Sequence, residues 1–294
     1  MISLPRYLFI HDAGTDPTAL KEPIVRQWKE MDRGVEYDFY AASGPEDALR
    51  HVSLYCDLHH DLDTCFVACG QDALTAGVAA GLMGADEGKT LAVYDPEGTG
   101  SLARYYEGRD FGSIPLLLAG SSAGIDMIRI NNSYAVNACT FGLEDLTGEK
   151  GSGLLQSVST SLRRSFRSIR ISADGAPLDA GSILLFTLAN GRYASGGLLC
   201  APSASIDDGR MDLCIVRNMA PTRLMKVLPL LAAGALTEEP SLASDTVLRK
   251  VRTLTVESAK DITLMADGIA LTGREFSIKL VPSAVRMVIP AVQD

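Results

Sequence analysis

The strongest constraint in this sequence is an alternation in its first third, where each short apolar run is followed by a stretch with helical spacing. Tyr7 to Ile10, Val35 to Tyr40, Thr64 to Ala68 and Leu91 to Tyr94 read as strands. Pro17 to Met31, Pro45 to about Leu58, Ala73 to Met83 and Ser101 to Glu107 carry the helical pattern between and after them. Short strands that alternate with helices build βαβ units and a parallel sheet. Ligands meet such a sheet at the carboxyl ends of its strands, and the turns there carry the Gly and Asp residues of this chain.

Beyond about residue 126 the period changes. Tyr134 to Phe141, Ser182 to Ala189, Met211 to Val216, Thr253 to Glu257, Ile262 to Ala266 and Phe276 to Val281 read as strands. The pairs Asn190-Gly191, Asp208-Gly209, Asp267-Gly268 and Thr272-Gly273 punctuate them as turn signals. Helices are expected near Leu154 to Arg167 and Pro221 to Ala233. The reading is an α/β chain: a doubly wound parallel-sheet domain over 1–126, then a β-rich, sandwich-like domain over 127–294. Residues after about 286 are left free to return to the first domain. A length of 294 residues suits two such cores.

Charge and composition exclude several partners. A net charge of −9 argues against a nucleic-acid surface, which needs clustered Lys and Arg. The cysteines show no paired CxxC spacing and read as buried, reduced thiols. Met1 to Ile10 lacks the apolar core of a signal peptide. The longest apolar stretches, such as Val227 to Leu236, fall short of the roughly 20 residues that span a bilayer. A soluble, cytoplasmic protein is expected, one that would meet the inner membrane surface only in passing.

Two strand-to-helix turns carry the chemistry. Cys69-Gly70-Gln71-Asp72-Ala73-Leu74 follows Thr64 to Ala68, and Asp95-Pro96-Glu97-Gly98-Thr99-Gly100-Ser101 follows Leu91 to Tyr94. Glycine lets backbone approach an anion, and a helix N-terminus aims N–H groups at it. Thr99 adds a hydroxyl, and Asp72 could hold a metal ion beside phosphates. Further on come Asn137-Ala138-Cys139-Thr140-Phe141-Gly142, then Asn190-Gly191, Gly196-Gly197, Ala201-Pro202, Ala204, Asp207-Asp208-Gly209 and Met211-Asp212. In this order and spacing the chain resembles the catalytic core of the diacylglycerol and sphingosine kinase family. That family carries a Gly-Gly-Asp-Gly-Thr loop, a Gly-Thr-x-Asn-Asp loop, an Asn-x-x-x-x-Gly strand and a late Asp-Gly-Glu hairpin, here Asp267-Gly268.

The resemblance implies an ATP- and Mg2+-dependent kinase with an α/β nucleotide domain and a lipid hydroxyl as acceptor. It implies Asp267 as the general base on that hydroxyl and Asp72 on the metal. Gly70, Gln71, Gly98, Thr99, Gly100 and Ser101 fall at phosphate-loop positions, and His11 falls where a nucleotide contact is expected. Asp126 sits at another acidic family position. Asp207, Asp208 and Asp212 could bind a structural Mg2+, although Asp208-Gly209 also reads as a plain turn. Contact with a membrane surface and a homodimer are left open. Three departures weaken this set. Gln71, Ala73 and Leu74 replace loop Gly, Gly and Thr; Ser101-Leu102 replaces Asn-Asp; Ile269 replaces the hairpin glutamate. A catalytically impaired homologue and a kinase of a soluble acceptor such as NAD are therefore carried as alternatives.

Two other signals stand in the sequence. Gly120-Ser121-Ser122-Ala123-Gly124 fits the G-x-S-x-G pattern of a hydrolase elbow, but Ile125 to Ile130 reads as a strand where that elbow needs a helix, and no histidine follows His60. The basic run Arg163, Arg164, Arg167, Arg170 reads as a solvated helix face or as a surface for lipid headgroups.

Overall fold

The computed structural model describes residues 6–31, 34, 36–142, 169–232, 242 and 244–293. It divides into two compact units, Met1–Asp126 with Ser283–Asp294, and Met127–Pro282. Strands and helices of the first unit follow the alternation: β1 (Arg6–Asp12), α1 (Pro17–Met31), β2 (Tyr37–Ala42), α2 (Pro45–Leu58), β3 (Thr64–Cys69), α3 (Asp72–Gly81), β4 (Lys89–Val93), α4 (Ser101–Tyr105) and α5 (Ile114–Leu118). The sheet runs β2-β1-β3-β4, all parallel. Met287, near the end of the long β16 (Ile269–Ile289), pairs in parallel with Leu91 on the free side of β4.

Apolar strands with both faces covered explain the parallel pairing: every residue of β3 is buried. On one side, Trp28 of α1 packs edge-on to Tyr7 and Phe9, with ring centroids at 5.2 and 5.8 Å. On the other, α2 and α3 approach closely because α3 carries Gly77 and Gly81. A Cβ on Gly77 would lie 2.3 Å from the Pro45 carbonyl oxygen, and one on Gly81 would lie 2.7 Å from that of Leu49. Each glycine costs about 1 kcal/mol of helix propensity, which burial of nearly the whole of α3 offsets. Lys89, 3% exposed, donates to the His59 carbonyl at 2.6 Å and to that of Leu62, placing its charge at the carboxyl end of α2.

The apolar run Ile114 to Ala119 forms α5, with Ser113 accepting from the Leu116 N–H at 3.4 Å. β5 (Ser121–Ile130) starts directly after it. The G-x-S-x-G stretch thus leads from helix into strand, the reverse of a nucleophile elbow.

The second unit is built from β6 (Ser133–Ala135), β7 (Ala138–Phe141), β8 (Ile169–Ala173), β9 (Ala176–Leu178), β10 (Ile183–Ala189), the small hairpin β11 (Tyr193–Ala194) and β12 (Leu198–Leu199), β13 (Met211–Arg217), α6 (Pro221–Ala232), β14 (Thr246–Val251) and β15 (Thr253–Ala266). Antiparallel neighbours run β14-β13-β10-β7-β15. The sequence suggested separate strands at Thr253 to Glu257 and Ile262 to Ala266. They are one strand, because the irregularity between Glu257 and Ile262 shifts its register with β16 without breaking it. Its two halves serve different neighbours, β8 at Leu254–Ser258 and β7 at Met265–Ala266.

β10 is buried on both faces. Ile183, Phe186 and Leu188 join the main core, where Phe186 stacks on its register partner Phe141 at 4.6 Å. Leu184 and Leu185 join a second core with Leu224 and Val227 of α6. A register shift between Ile183 and Leu185 lets two consecutive leucines share a face. Gly142 accommodates that bulge: at φ +82° its missing Cβ would sit 2.3 Å from the Leu184 carbonyl oxygen. The helix expected near Leu154 to Arg167, with Arg163, Arg164 and Arg167, lies outside the described residues. Arg170 pairs with Glu257 at 2.7 Å. All cysteines are free, and all but Cys200 are fully buried. Burial raises the Cys65 and Cys214 thiols to about 12, which keeps them protonated and unreactive. Among the described residues no helix is long and apolar enough to cross a membrane.

Candidate functional site

Strand order reverses between β1 and β3 in the first unit, so the turns after these strands flank the crevice where parallel sheets receive ligands. His11 is the next-to-last residue of β1, in register with Ala41 and Cys69. It is 2% exposed; its Nδ1 lies 3.0 Å from the Asp12 carbonyl oxygen, and Nε2 has no hydrogen-bond partner among the described residues. A buried polar nitrogen in that state is costly, and this one stands at the ligand-facing edge of the sheet.

The turns after β3 and β4 come together. The Gly100 N–H donates to Asp95 Oδ2 at 2.7 Å, and the Ser101 N–H donates to Asp72 Oδ1 at 3.0 Å. Ser101 Oγ donates to the second oxygen of Asp72 at 2.6 Å, a short, charge-assisted bond. Two carboxylates therefore cap the start of α4, where the sequence suggested an anion would bind. Glycine is favoured at 98, where φ is +64°, and fits closely at 100, where a Cβ would lie 3.1 Å from Asp95 Oδ2. Gly98 and Thr99 are exposed, as are Gly70 and Gln71. The substituted Leu74 folds back over Gly70, so that a Cβ there would meet Leu74 Cδ2 at 2.8 Å. Asp95 is the residue that sequence reasoning left without a role. Its signal was present, an acid five residues before the glycine it caps, but the partner depends on how the turn folds back.

As arranged, this turn presents carboxylates where phosphate oxygens would seek N–H donors, and both oxygens of Asp72 are engaged by Ser101. Nucleotide phosphates would have to exchange with those side chains. The residues present do not form a preorganised metal site either: among the described residues no three His, Cys, Asp or Glu side chains are grouped to hold an ion.

Asp267 belongs to the second unit. It heads the β15–β16 hairpin at φ 46°, followed by Gly268 at φ 88°, the positive pair that a tight two-residue hairpin turn needs. Its side chain does more than turn the chain. Asp267 Oδ2 accepts from Val136 N at 2.6 Å and Asn137 N at 3.0 Å; Oδ1 accepts from Asn137 N at 3.2 Å and Ala138 N at 3.0 Å. The residue is 2% exposed. A carboxylate has about four lone-pair positions, and three backbone N–H groups, one of them shared between the two oxygens, take up most of them. Asn190 Nδ2 holds the same segment through the Val136 carbonyl at 2.8 Å, and the Asn190 and Gly191 N–H groups both donate to the Asn137 carbonyl. The Asn137, Asn190 and Asp267 signals thus converge on one buried junction.

The remaining acids lie elsewhere. Asp126, 2% exposed, accepts from the Ser283 N–H at 2.7 Å within the first unit. Asp207 accepts from Ser205 Oγ at 2.7 Å. Lys250 Nζ lies 2.6 Å from Asp208 Oδ2 and 3.3 Å from Asp212 Oδ2. Burial raises the Asp212 carboxyl against the opposing pull of Lys250. The hydrogen bond to Asp208 raises the Lys250 ammonium, so it stays charged.

Comparison with known proteins agrees with this architecture. Residues 151–289 match the family described as the YegS C-terminal NAD kinase beta sandwich-like domain. A protein of Xanthomonas campestris pv. campestris (strain 8004) named "Probable lipid kinase YegS-like" is 28% identical over 304 residues, covering 96% of this chain and 95% of its own. A protein of Yersinia pestis (strain Pestoides F) with the same name is 29% identical over 189 residues, covering 60% and 61%. The crystal structure of a diacylglycerol kinase from Bacillus anthracis str. Sterne superposes with a TM-score of 0.71 over 98% of both chains at 16% identity, a likeness of fold. By sequence along nearly its whole length the chain is similar to proteins named probable lipid kinase YegS-like, and its fold is that of the Bacillus anthracis diacylglycerol kinase structures.

Proposed function

We propose that this chain is a lipid kinase of the diacylglycerol kinase-like family, transferring the γ-phosphoryl group of Mg-ATP to a hydroxyl of an acylglycerol-like or sphingoid-like lipid. One observation carries the reading: the turns at Gly70–Asp72 and Asp95–Ser101 assemble at the carboxyl edge of the parallel sheet through Asp72, Ser101, Asp95 and Gly100. Phosphoryl transfer requires positioning and charge stabilisation rather than covalent chemistry from the protein. Gly70, Gln71, Gly98, Thr99, Gly100 and Ser101 are the backbone groups proposed to meet the nucleotide, with His11 Nε2 as a further polar contact. In this reading Asp72 would hold the nucleotide's metal, and Asp267 would take the proton of the lipid hydroxyl as its oxygen bonds to the γ-phosphorus and the bond from that phosphorus to the bridging oxygen breaks, releasing ADP.

A specific observation favours the second reading, a homologue that binds nucleotide or lipid with impaired transfer. Asp267 has its oxygens engaged by Val136, Asn137 and Ala138 N–H groups, and the neighbouring hairpin position is Ile269, which has no acid to offer. Three N–H groups already hold this carboxylate, which leaves about one acceptor position for a hydroxyl.

Thermal shift with Mg-ATP and Mg-ADP, followed by radiolabelled ATP against a lipid panel with NAD as a soluble acceptor, separates these readings. Stabilisation and labelled lipid are expected for the kinase. Stabilisation without any labelled product supports the impaired homologue. Labelled NAD instead of lipid assigns the soluble acceptor, and no stabilisation by either nucleotide rejects nucleotide binding.

A further inference from the structure

The acidic turn before β13 holds a feature that neither the family likeness nor the kinase reading uses. β13 and β14 are antiparallel, and Asp212 stands in register with Lys250. The Lys250 ammonium sits where two carboxylates converge, 2.6 Å from Asp208 Oδ2 and 3.3 Å from Asp212 Oδ2. The other Asp208 oxygen accepts the Arg210 N–H at 2.9 Å. Asp207 turns to Ser205 Oγ at 2.7 Å. A Mg2+ or Ca2+ ion needs about six or more oxygen ligands at roughly 2.0–2.6 Å. Any such ion would enter against the like charge of the ammonium, at a distance where repulsion is strong.

We infer that Lys250 is the resident cation of this turn, holding the position between Asp208 and Asp212 that a divalent ion would otherwise take. The chain supplies its own counter-ion from the adjacent strand, so the paired carboxylates at the entry to β13 have a cation between them without metal. This holds whether or not the chain transfers phosphate. It replaces the structural Mg2+ suggested by Asp207, Asp208 and Asp212 in the sequence.

The test is thermal unfolding of the full chain in EDTA, in millimolar MgCl2 and in millimolar CaCl2. Wild type is expected to melt at the same temperature in all of them. Lys250→Met is expected to melt about 2–4 °C lower in EDTA and to recover part of that loss in CaCl2, because the vacated position then accepts an ion. Lys250→Arg keeps the charge and is expected to stay within about 1 °C of wild type with no response to metal. A wild-type rise with Mg2+ or Ca2+ that disappears in Asp208→Asn would overturn the inference. So would a Lys250→Met protein as stable in EDTA as wild type, or one whose loss no divalent ion reverses. Should Lys250→Met fail to fold, the Lys250→Arg and Asp208→Asn arms still decide.

Discussion

Asp72 in the first unit and Asp267 in the second both fall at acidic positions of a kinase family, and both spend their carboxylates on backbone N–H groups, yet to different depths. Asp72 is half-buried and engages Ser101 through its N–H and its hydroxyl. Asp267 is 2% exposed and engages three successive N–H groups. Exchange with water or ligand is open to the first and nearly closed to the second. Asp174 extends the comparison to the surface: it is exposed and accepts from the Arg252 and Thr253 N–H groups at 2.9 Å each. The same motif, a carboxylate on backbone donors, thus serves as core element, half-buried helix cap and loop clamp according to its solvent access.

The largest effect is expected at Asp267. Asp267→Ala orphans three buried N–H groups, and chemical denaturation should show the second unit destabilised by about 3–5 kcal/mol. Asp267→Asn supplies one acceptor oxygen but turns an NH2 toward the donors, so a large part of that loss should remain. Wild-type stability in Asp267→Asn together with lost turnover would break the contrast and return Asp267 to the role of base.

A smaller loss is expected at Asp72. Asp72→Ala removes the cap of α4 and should cost about 1 kcal/mol, read by the same denaturation. It should also change the thermal shift produced by Mg-ATP, whereas Asp267→Ala should leave the shift of the first unit in place. An Asp72→Ala loss as large as that of Asp267→Ala would erase the distinction drawn from burial.

Asp174 should give the smallest effect, visible only in acid. The Thr253 and Arg252 N–H groups hold its carboxyl below the ordinary value of 3.8. A group depressed in the folded state contributes stability that is complete above its unfolded value and fades as pH falls through its folded one. Asp174→Asn should therefore flatten the acid limb of the stability profile below about pH 4. Identical acid limbs for variant and wild type would remove Asp174 from the series.

Much of the first unit was legible because parallel strands buried on both faces leave continuous apolar runs, and amphipathic helices separate them. The starts of α1 at Pro17 and α2 at Pro45 were readable, since proline opens each helix. Ile114 to Ala119 was not assignable, because a short buried helix and a buried strand share one apolar pattern. Within the second unit, β15 was read as two pieces because Ser258-Ala259-Lys260-Asp261 interrupts the alternation that its register shift tolerates.

By itself the sequence determined the alternation of strands and helices in the first unit, the parallel character of its sheet, the Asp267-Gly268 turn and the family likeness. These rest on periodicity, turn chemistry and collinear motifs, which are local or additive along the chain. Only the tertiary structure decided what each acid touches: Ser101 for Asp72, the 136–138 backbone for Asp267, Lys250 for Asp208 and Asp212. Whether a carboxylate acts as cap, counter-ion or base depends on which donors reach it first, and most of those donors come from residues far away in the chain.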